Sequence, residues 1–178
     1  MVIQEKNQYK IFKIDNPWWE LKHRDLDFYH EDFNNSADIQ EWQKLGYTQS
    51  RFTGDMYDMR NPEPEWIAPF REIINMPKFS WSVYRMRPGD VLPNHADTYA
   101  MFRKIHNLDD FATIRRYVVF LEPWQSGHYF EIDGVQLPSW EAGTVAMWEN
   151  GIMHVAANVG KTYRYTLQIT GVVEFKTA

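Results

Sequence analysis

The sequence contains no cysteine among its 178 residues. This absence excludes disulfides, zinc-thiolate sites, iron-sulfur clusters and thiol nucleophiles together, because each of them needs a cysteine sulfur. Any bound metal must therefore be held by histidine nitrogens and carboxylate oxygens.

Two further features are missing. The N-terminal segment MVIQEKNQYKIFKIDN has no apolar core of the kind found in signal peptides, and no run of about 18 apolar residues follows it. We therefore expect no membrane association and a cytoplasmic location. Lysine and arginine are scattered and the formal net charge is -5, so the clustered cations of a nucleic-acid-binding protein are absent and no nucleic-acid partner is expected.

Aromatic and apolar residues are plentiful. Hydrophobic residues make up 44% of the chain, enough for the core of one domain spanning residues 1–178. Aromatic residues reach 16%, and such side chains favour strands and ligand pockets. A mainly β fold is the first expectation.

Residues 1–76 read as a helical and irregular support region. Residues 8–14 could form a short strand that joins the main sheet. Residues 36–46 carry a capping-box pattern and a terminal glycine, and residues 66–75 show helical spacing with Pro69 suited to a first turn. We expect both helices to pack against the outside of a sheet.

Residues 77–175 change to a strand pattern. Short aromatic and β-branched segments are punctuated by glycine, proline or asparagine at intervals of about 8 to 12 residues, which is typical of a β-sandwich or barrel. This part is predicted to be the barrel core.

The stretch LPNHADTYAM offers His95 and Asp97 with one residue between them. At the start of a strand the two side chains would point to the same face. Alone, such a pair is weak evidence, and a solvated strand end is the more common explanation.

Two later residues strengthen the pattern. His154 and Arg164 flank a turn-prone segment, Asn158 to Lys161, which predicts a hairpin that places them on neighbouring antiparallel strands. Two imidazoles and one carboxylate form the facial triad of non-haem Fe(II) oxygenases. A 2-oxo acid chelated there would leave its far carboxylate to a cation, and arginine binds carboxylate in two-pronged fashion.

Residues 78–175 resemble the Fe(II)/2-oxoglutarate-dependent dioxygenases through His95, Asp97, His154 and Arg164. The resemblance implies a double-stranded β-helix, a cupin-like jelly-roll barrel, with N-terminal supporting helices. It also implies Fe(II), 2-oxoglutarate and O2 as cofactor and cosubstrates, with His95, Asp97 and His154 as metal ligands and catalytic residues and Arg164 as the 2-oxoglutarate anchor. Succinate and CO2 would be released as an unactivated C-H bond is hydroxylated.

Within this superfamily the chain looks most like the aspartyl/asparaginyl β-hydroxylase branch, on a pattern that includes Arg115, Tyr117, the segment Trp140-Glu141-Ala142-Gly143, His154, Asn158 and Arg164. This implies Arg115 and Tyr117 as further cosubstrate contacts, although the branch often has histidine where Tyr117 stands. The nucleic-acid-dealkylating branch has a second arginine where this chain has Thr170, and this difference argues against base repair. Halogenating relatives lack the carboxylate ligand, so the retained Asp97 favours hydroxylation.

Several alternatives stay open at this point. The substrate could be an Asp, Asn or Pro residue of a protein or peptide, or a small molecule such as a free amino acid. Arg115 and Arg116 face opposite ways on a strand, and Arg115 is the preferred inward one. His128 reads as structural and His106 as a surface residue. A cupin-type metalloenzyme that is not an oxygenase, such as an isomerase, and a non-catalytic β-barrel binding module are the competing functions.

Overall fold

A computed structural model describes residues 2–6, 9–30, 37–48 and 54–173. Within these residues the chain forms twelve strands, three α-helices and two short 3-10 helices. The strands are β1 (Val2–Lys6), β2 (Tyr9–Lys13), β3 (Tyr29–His30), β4 (Asp55–Asp58), β5 (Ser80–Met86), β6 (Val91–His95), β7 (Ile114–Phe120), β8 (His128–Ile132), β9 (Val135–Gln136), β10 (Thr144–Glu149), β11 (His154–Asn158) and β12 (Arg164–Val172).

Two antiparallel sheets face each other. The large sheet has the strand order β1-β2-β10-β7-β12-β5-β4-β3, and the small sheet has the order β6-β11-β8-β9. Together they form the double-stranded β-helix expected from the sequence, which confirms the predicted fold class. The first 76 residues contribute β1 to β4 to the large sheet, in addition to helices.

Three helices accompany the sheets: α1 (Ala37–Lys44), α2 (Ala68–Ile74) and α3 (Ala100–His106). Helix α2 follows a 3-10 turn at Glu65–Ile67, and its proline lies in the first turn, as predicted. Ser36, at the predicted start of α1, lies outside the described residues. Among the described residues, no helix is long and apolar enough to cross a membrane.

The large sheet is buried on both faces. Its inner face meets the small sheet in a core that includes Val118, Phe120, Phe130, Trp148 and Ala156. Its outer face packs against α2 and N-terminal loops through a second core, to which Trp19, Ile67, Phe70, Trp81, Tyr117 and Val119 belong. Strand β7 therefore has apolar side chains on both sides, and its two arginines face opposite sides of the large sheet. Helix α1, which was also expected outside a sheet, instead places Trp42 beside His95.

One expected pairing is corrected by the topology. His154 begins β11 in the small sheet, whereas Arg164 begins β12 in the large sheet, where it is paired with Met86 of β5. The two residues are therefore not on neighbouring strands. The connection between them crosses from one sheet to the other, so that His154 and Arg164 face each other across the barrel interior.

Candidate metal centre and adjoining pocket

His95, Asp97 and His154 converge in a group whose potential ligand atoms all lie within 4.8 Å of one another. His95 is the last residue of β6 and pairs with His154 at the start of β11, so that the two rings lie 4.3 Å apart between centroids. Asp97 follows β6 in the loop, rather than sharing a strand with His95 as expected. Its carboxylate oxygens are 3.7 Å from Nε2 of His95 and 4.0 Å from Nε2 of His154.

Backbone carbonyls define the tautomers of both histidines. Nδ1 of His95 lies 2.8 Å from the carbonyl oxygen of Pro93, and Nδ1 of His154 lies 3.1 Å from that of Ile152. Because a carbonyl oxygen only accepts a hydrogen bond, each Nδ1 must carry the proton. Each Nε2 then presents a lone pair toward Asp97, which is the arrangement that a metal-binding histidine requires.

The charge states of His154 and Asp97 favour the binding of a cation. Burial lowers the pKa of His154 to about 4, against the opposing effect of Asp97. Burial alone would raise the pKa of Asp97, but the charge of Arg116 and the proximity of both histidines lower it overall. At neutral pH His154 is therefore neutral and Asp97 is an anion, and this donor set suits a divalent metal ion.

A pocket of about 220 Å³ adjoins the three residues. Arg164, Thr166 and Gln168 line it from alternate positions of β12, since side chains two apart on a strand share a face. Arg116 and Val118 line it from β7, and the remaining walls include Tyr84, Leu92, Phe130, Trp148 and, from α1, Ile39 and Trp42.

Arg164 is a buried cation without a carboxylate partner among the described residues. Its side chain is 6% exposed, its Nη1 donates to the carbonyl oxygen of Tyr129 at 2.7 Å, and its Nε has no hydrogen-bond partner. Burial lowers its pKa to about 10, so it stays charged at neutral pH. A buried charge of this kind is costly unless an anion accompanies it.

Arg116, rather than Arg115, is the arginine of β7 that enters the pocket. Its Nε donates to Oδ2 of Asp97 at 3.2 Å, its Nη1 donates to Oε1 of Gln168 at 3.0 Å, and its guanidinium carbon lies 5.2 Å from the ring centroid of Tyr99. Burial would lower its pKa, but Asp97 raises it overall, so this arginine is permanently charged.

The orientation expected for Arg115 is thereby corrected, and with it the expected cosubstrate contacts. Arg115 and Tyr117 lie on the outer face of β7, where Arg115 pairs with Glu149 at 2.5 Å and Tyr117 belongs to the outer core. The physical reason is the alternation of side chains along a strand, which places Val118 in the inner core and Arg116 with it.

The other histidines lie elsewhere. His128 is buried in β8 and lies 3.3 Å from the carbonyl oxygen of Thr162, in keeping with the structural role expected for it. His106 ends α3 and contacts the ring of Phe102, outside the pocket. Asn158, read as a turn former, holds the turn after β11 through its side-chain amide, which donates to the carbonyl oxygens of Met86 and Thr162.

Comparison with known proteins gives no match to a family model and none to a curated protein sequence. Solved structures do share the fold. A viral collagen prolyl hydroxylase from Paramecium Bursaria Chlorella virus-1, solved with 2-oxoglutarate, aligns over 91% of this chain and 96% of that chain at a TM-score of 0.54 and 16% identity. A prolyl-4-hydroxylase from Pseudomonas putida aligns over 67% and 68%, respectively, at a TM-score of 0.50 and 16% identity. At this level of identity the likeness establishes the double-stranded β-helix fold.

Proposed function

We propose that this protein is an Fe(II)- and 2-oxoglutarate-dependent dioxygenase that hydroxylates an unactivated C-H bond. The observation that carries the proposal is Arg164, a buried guanidinium with no carboxylate partner among the described residues, in the same pocket as His95, Asp97 and His154. A metal group explains three of these residues, and a dianionic chelating cosubstrate explains the fourth.

The residues fit the metal. His95 and His154 would each offer Nε2, and Asp97 would offer a carboxylate oxygen, so that three donors on one side leave the remaining positions of an octahedral ion open. Backbone carbonyls hold the two imidazole rings, which fixes the direction of their lone pairs before an ion binds. The ring of Trp148 packs against that of His154, with 4.6 Å between the ring centroids, and would limit the access of water.

The residues also fit the cosubstrate. Arg164 would pair with the carboxylate of 2-oxoglutarate that points away from the metal, which would compensate the buried charge. Fe(II) and 2-oxoglutarate together supply the oxidising chemistry, in which O2 converts the cosubstrate to succinate and CO2 as the substrate C-H bond is hydroxylated. The chain itself binds and orients the reactants, and its aromatic walls exclude water.

Arg116 replaces Arg115 as the β7 arginine of the proposed site. By holding one oxygen of Asp97, and by being held in turn by Gln168 and the face of Tyr99, it would orient the carboxylate ligand. For the substrate we retain an amino-acid or protein side chain of Asp, Asn or Pro type, and for the branch the aspartyl/asparaginyl β-hydroxylases. The prolyl hydroxylases with the same fold are compatible with such a substrate.

Each competing function leaves one feature of the site unexplained. A cupin-type metalloenzyme that is not an oxygenase, such as an isomerase, would use the two histidines and Asp97 but gives no reason for a buried guanidinium beside them. A non-catalytic binding module leaves the convergence of the three ligand atoms within 4.8 Å without a purpose.

An absorption experiment tests the proposal. Anaerobic protein mixed with Fe(II) and 2-oxoglutarate should develop the visible charge-transfer band of the chelated cosubstrate. The double variant Asp97→Ala/His154→Ala should lose it. The absence of a band from the unaltered protein, or an undiminished band in the double variant, overturns the oxygenase proposal.

A further inference from the structure

We infer that the substrate is a peptide segment, of which one residue enters the pocket while a neighbouring apolar residue lies in a surface groove beside His95. This inference rests on the proposed function, because it assigns the substrate of the same site. It selects a peptide over a free amino acid.

The groove is continuous with the pocket. We name it the flanking groove and define it by Trp42, Leu45, Tyr47, Pro93 and Met153, which line one depression of about 600 Å³. Trp42, together with His95, Ala96 and Thr98, lines both the pocket and this groove. A chain that leaves the pocket at the metal ligand His95 therefore enters the flanking groove directly.

The flanking groove presents apolar side chains to solvent. Leu45 is 71% exposed and Tyr47 is 41% exposed after α1, and Met153, which precedes β11, is 42% exposed. Single exposed apolar residues are ordinary, but several that converge on one concave surface beside a candidate site mark a binding surface. An apolar side chain of a ligand would cover them.

The relative sizes favour a peptide. The pocket of about 220 Å³ is smaller than the roughly 300 Å³ at which drug-sized ligand sites begin, so the cosubstrate and one short side chain fill it. The remainder of any substrate must lie outside, and the flanking groove is the larger depression at about 600 Å³. A free amino acid would end at the pocket mouth and leave the groove uncovered.

The charge of the groove refines the expected sequence. Glu41 is the charged residue along its wall outside the pocket, and its exposed carboxylate favours a lysine or arginine in the bound peptide. The expected segment therefore has the hydroxylated residue followed or preceded by an apolar residue, with a basic residue close by. Specificity would come from the groove, and the chemistry from the pocket.

Selection from a phage-displayed library of short random peptides tests this inference. Peptides enriched on the full chain should share an apolar residue next to a basic one. Leu45→Lys and Met153→Lys should each weaken the binding of an enriched peptide by about tenfold or more, since each removes an apolar contact and adds a positive charge that repels the basic residue of the peptide. Because Leu45 and Met153 are solvent-exposed, both variants should fold, and thermal unfolding checks this.

Phe111→Lys is the matched control. Phe111 is 95% exposed and lies outside both the pocket and the flanking groove, so this variant should bind the same peptide as the unaltered protein does. Equal losses in all three variants, enrichment of no peptide, or displacement of the peptide by free amino acids at similar concentration would each overturn the inference.

The two proposals can fail separately. The charge-transfer band of the unaltered protein does not depend on peptide, and the selection does not depend on Fe(II). A band without peptide enrichment overturns the peptide substrate alone. Groove-dependent peptide binding without a band supports the docking surface and overturns the oxidative function.

Discussion

Nε of Arg116 donates a hydrogen bond to Oδ2 of Asp97 at 3.2 Å, and so couples an inward cation of the large sheet to the carboxylate of the candidate metal centre. Gln168 holds the same guanidinium from the adjacent strand. This hydrogen bond therefore orients the carboxylate of Asp97 relative to the two histidines.

Removing this pair should cost stability. Arg116→Met leaves Asp97 charged and only 21% exposed, so we expect the free energy of unfolding of the metal-free protein to fall by about 2 kcal/mol. Arg115→Met is the matched control, because its partner Glu149 is 31% exposed and such pairs contribute at most about 1 kcal/mol. Urea unfolding measures both. If Arg116→Met/Asp97→Asn is no more stable than the single variant, the two residues are not coupled.

Replacement of Arg164 should not lower the free energy of unfolding, in contrast to replacement of Arg116. Its guanidinium is buried with no anion beside it in the described part of the chain, so Arg164→Met should leave the free energy of unfolding unchanged or raise it by about 1 kcal/mol. The same variant should bind 2-oxoglutarate at least about a hundredfold more weakly, since it loses a charge-assisted pair. Calorimetric titration and urea unfolding measure the two effects. A comparable loss of Fe(II) affinity would point to general damage and contradict the assigned role.

Metal ions should stabilise the fold through the three ligands. At a hundredfold excess over its dissociation constant, a divalent ion should add about 2.7 kcal/mol to the free energy of unfolding. His154→Ala should abolish this metal-induced increase, whereas His106→Ala, outside the pocket, should retain it. Denaturant unfolding with and without metal tests this for each variant. An increase that persists in His154→Ala would mean that the ion binds elsewhere.

Acid should weaken the contact of Glu122 with His23 and Arg24, which lies away from the pocket. Burial would raise the pKa of Glu122, but hydrogen bonds from His23 and Arg24 lower it to about 2. A lowered pKa means that its stabilisation is complete above the unfolded value of 4.5 and is lost as the pH falls toward 2. We expect Glu122→Gln to remove about 1 to 2 kcal/mol of pH-dependent stability in this window, after allowance for solvent screening.

Unfolding free energies measured between pH 6 and pH 2 check the assignment, with Glu141→Gln as the comparison. Glu141 pairs with Lys13 on the exposed surface, and its replacement should leave the profile close to that of the unaltered protein. Equal profiles for Glu122→Gln and the unaltered protein would contradict the prediction.

The candidate metal ligands could be selected from the sequence because such a site uses few residue types. The chain has six histidines and no cysteine, so His95 and His154, with Asp97 close to the first, left few other donor sets to consider. Arg164 was singled out by its position after His154 and by the resemblance, since a chelated 2-oxo acid needs a cation for its far carboxylate. The convergence of the two histidines itself comes from the antiparallel pairing of β6 with β11, which places His95 opposite His154.

The β7 arginine could not be chosen from the sequence. Val118 and Phe120 face the inner core, while Tyr117 and Val119 face the outer core. Because both faces are apolar, the period of two that normally identifies the inward side carries no information. The placement of Trp42 on the pocket wall was equally inaccessible, since it depends on how α1 docks against the sheets rather than on any local pattern.

The placement of the site residues on two facing sheets has a mechanical consequence. His95 and His154 belong to the small sheet, while Arg164 belongs to the large one. A metal bound to the histidines and a cosubstrate bound to both the metal and Arg164 would link the two sheets. Separation of the sheets would then require the release of these ligands. Amide hydrogens of β11 and of β12 should consequently become slower to exchange together when both are bound, although no backbone hydrogen bond joins these two strands.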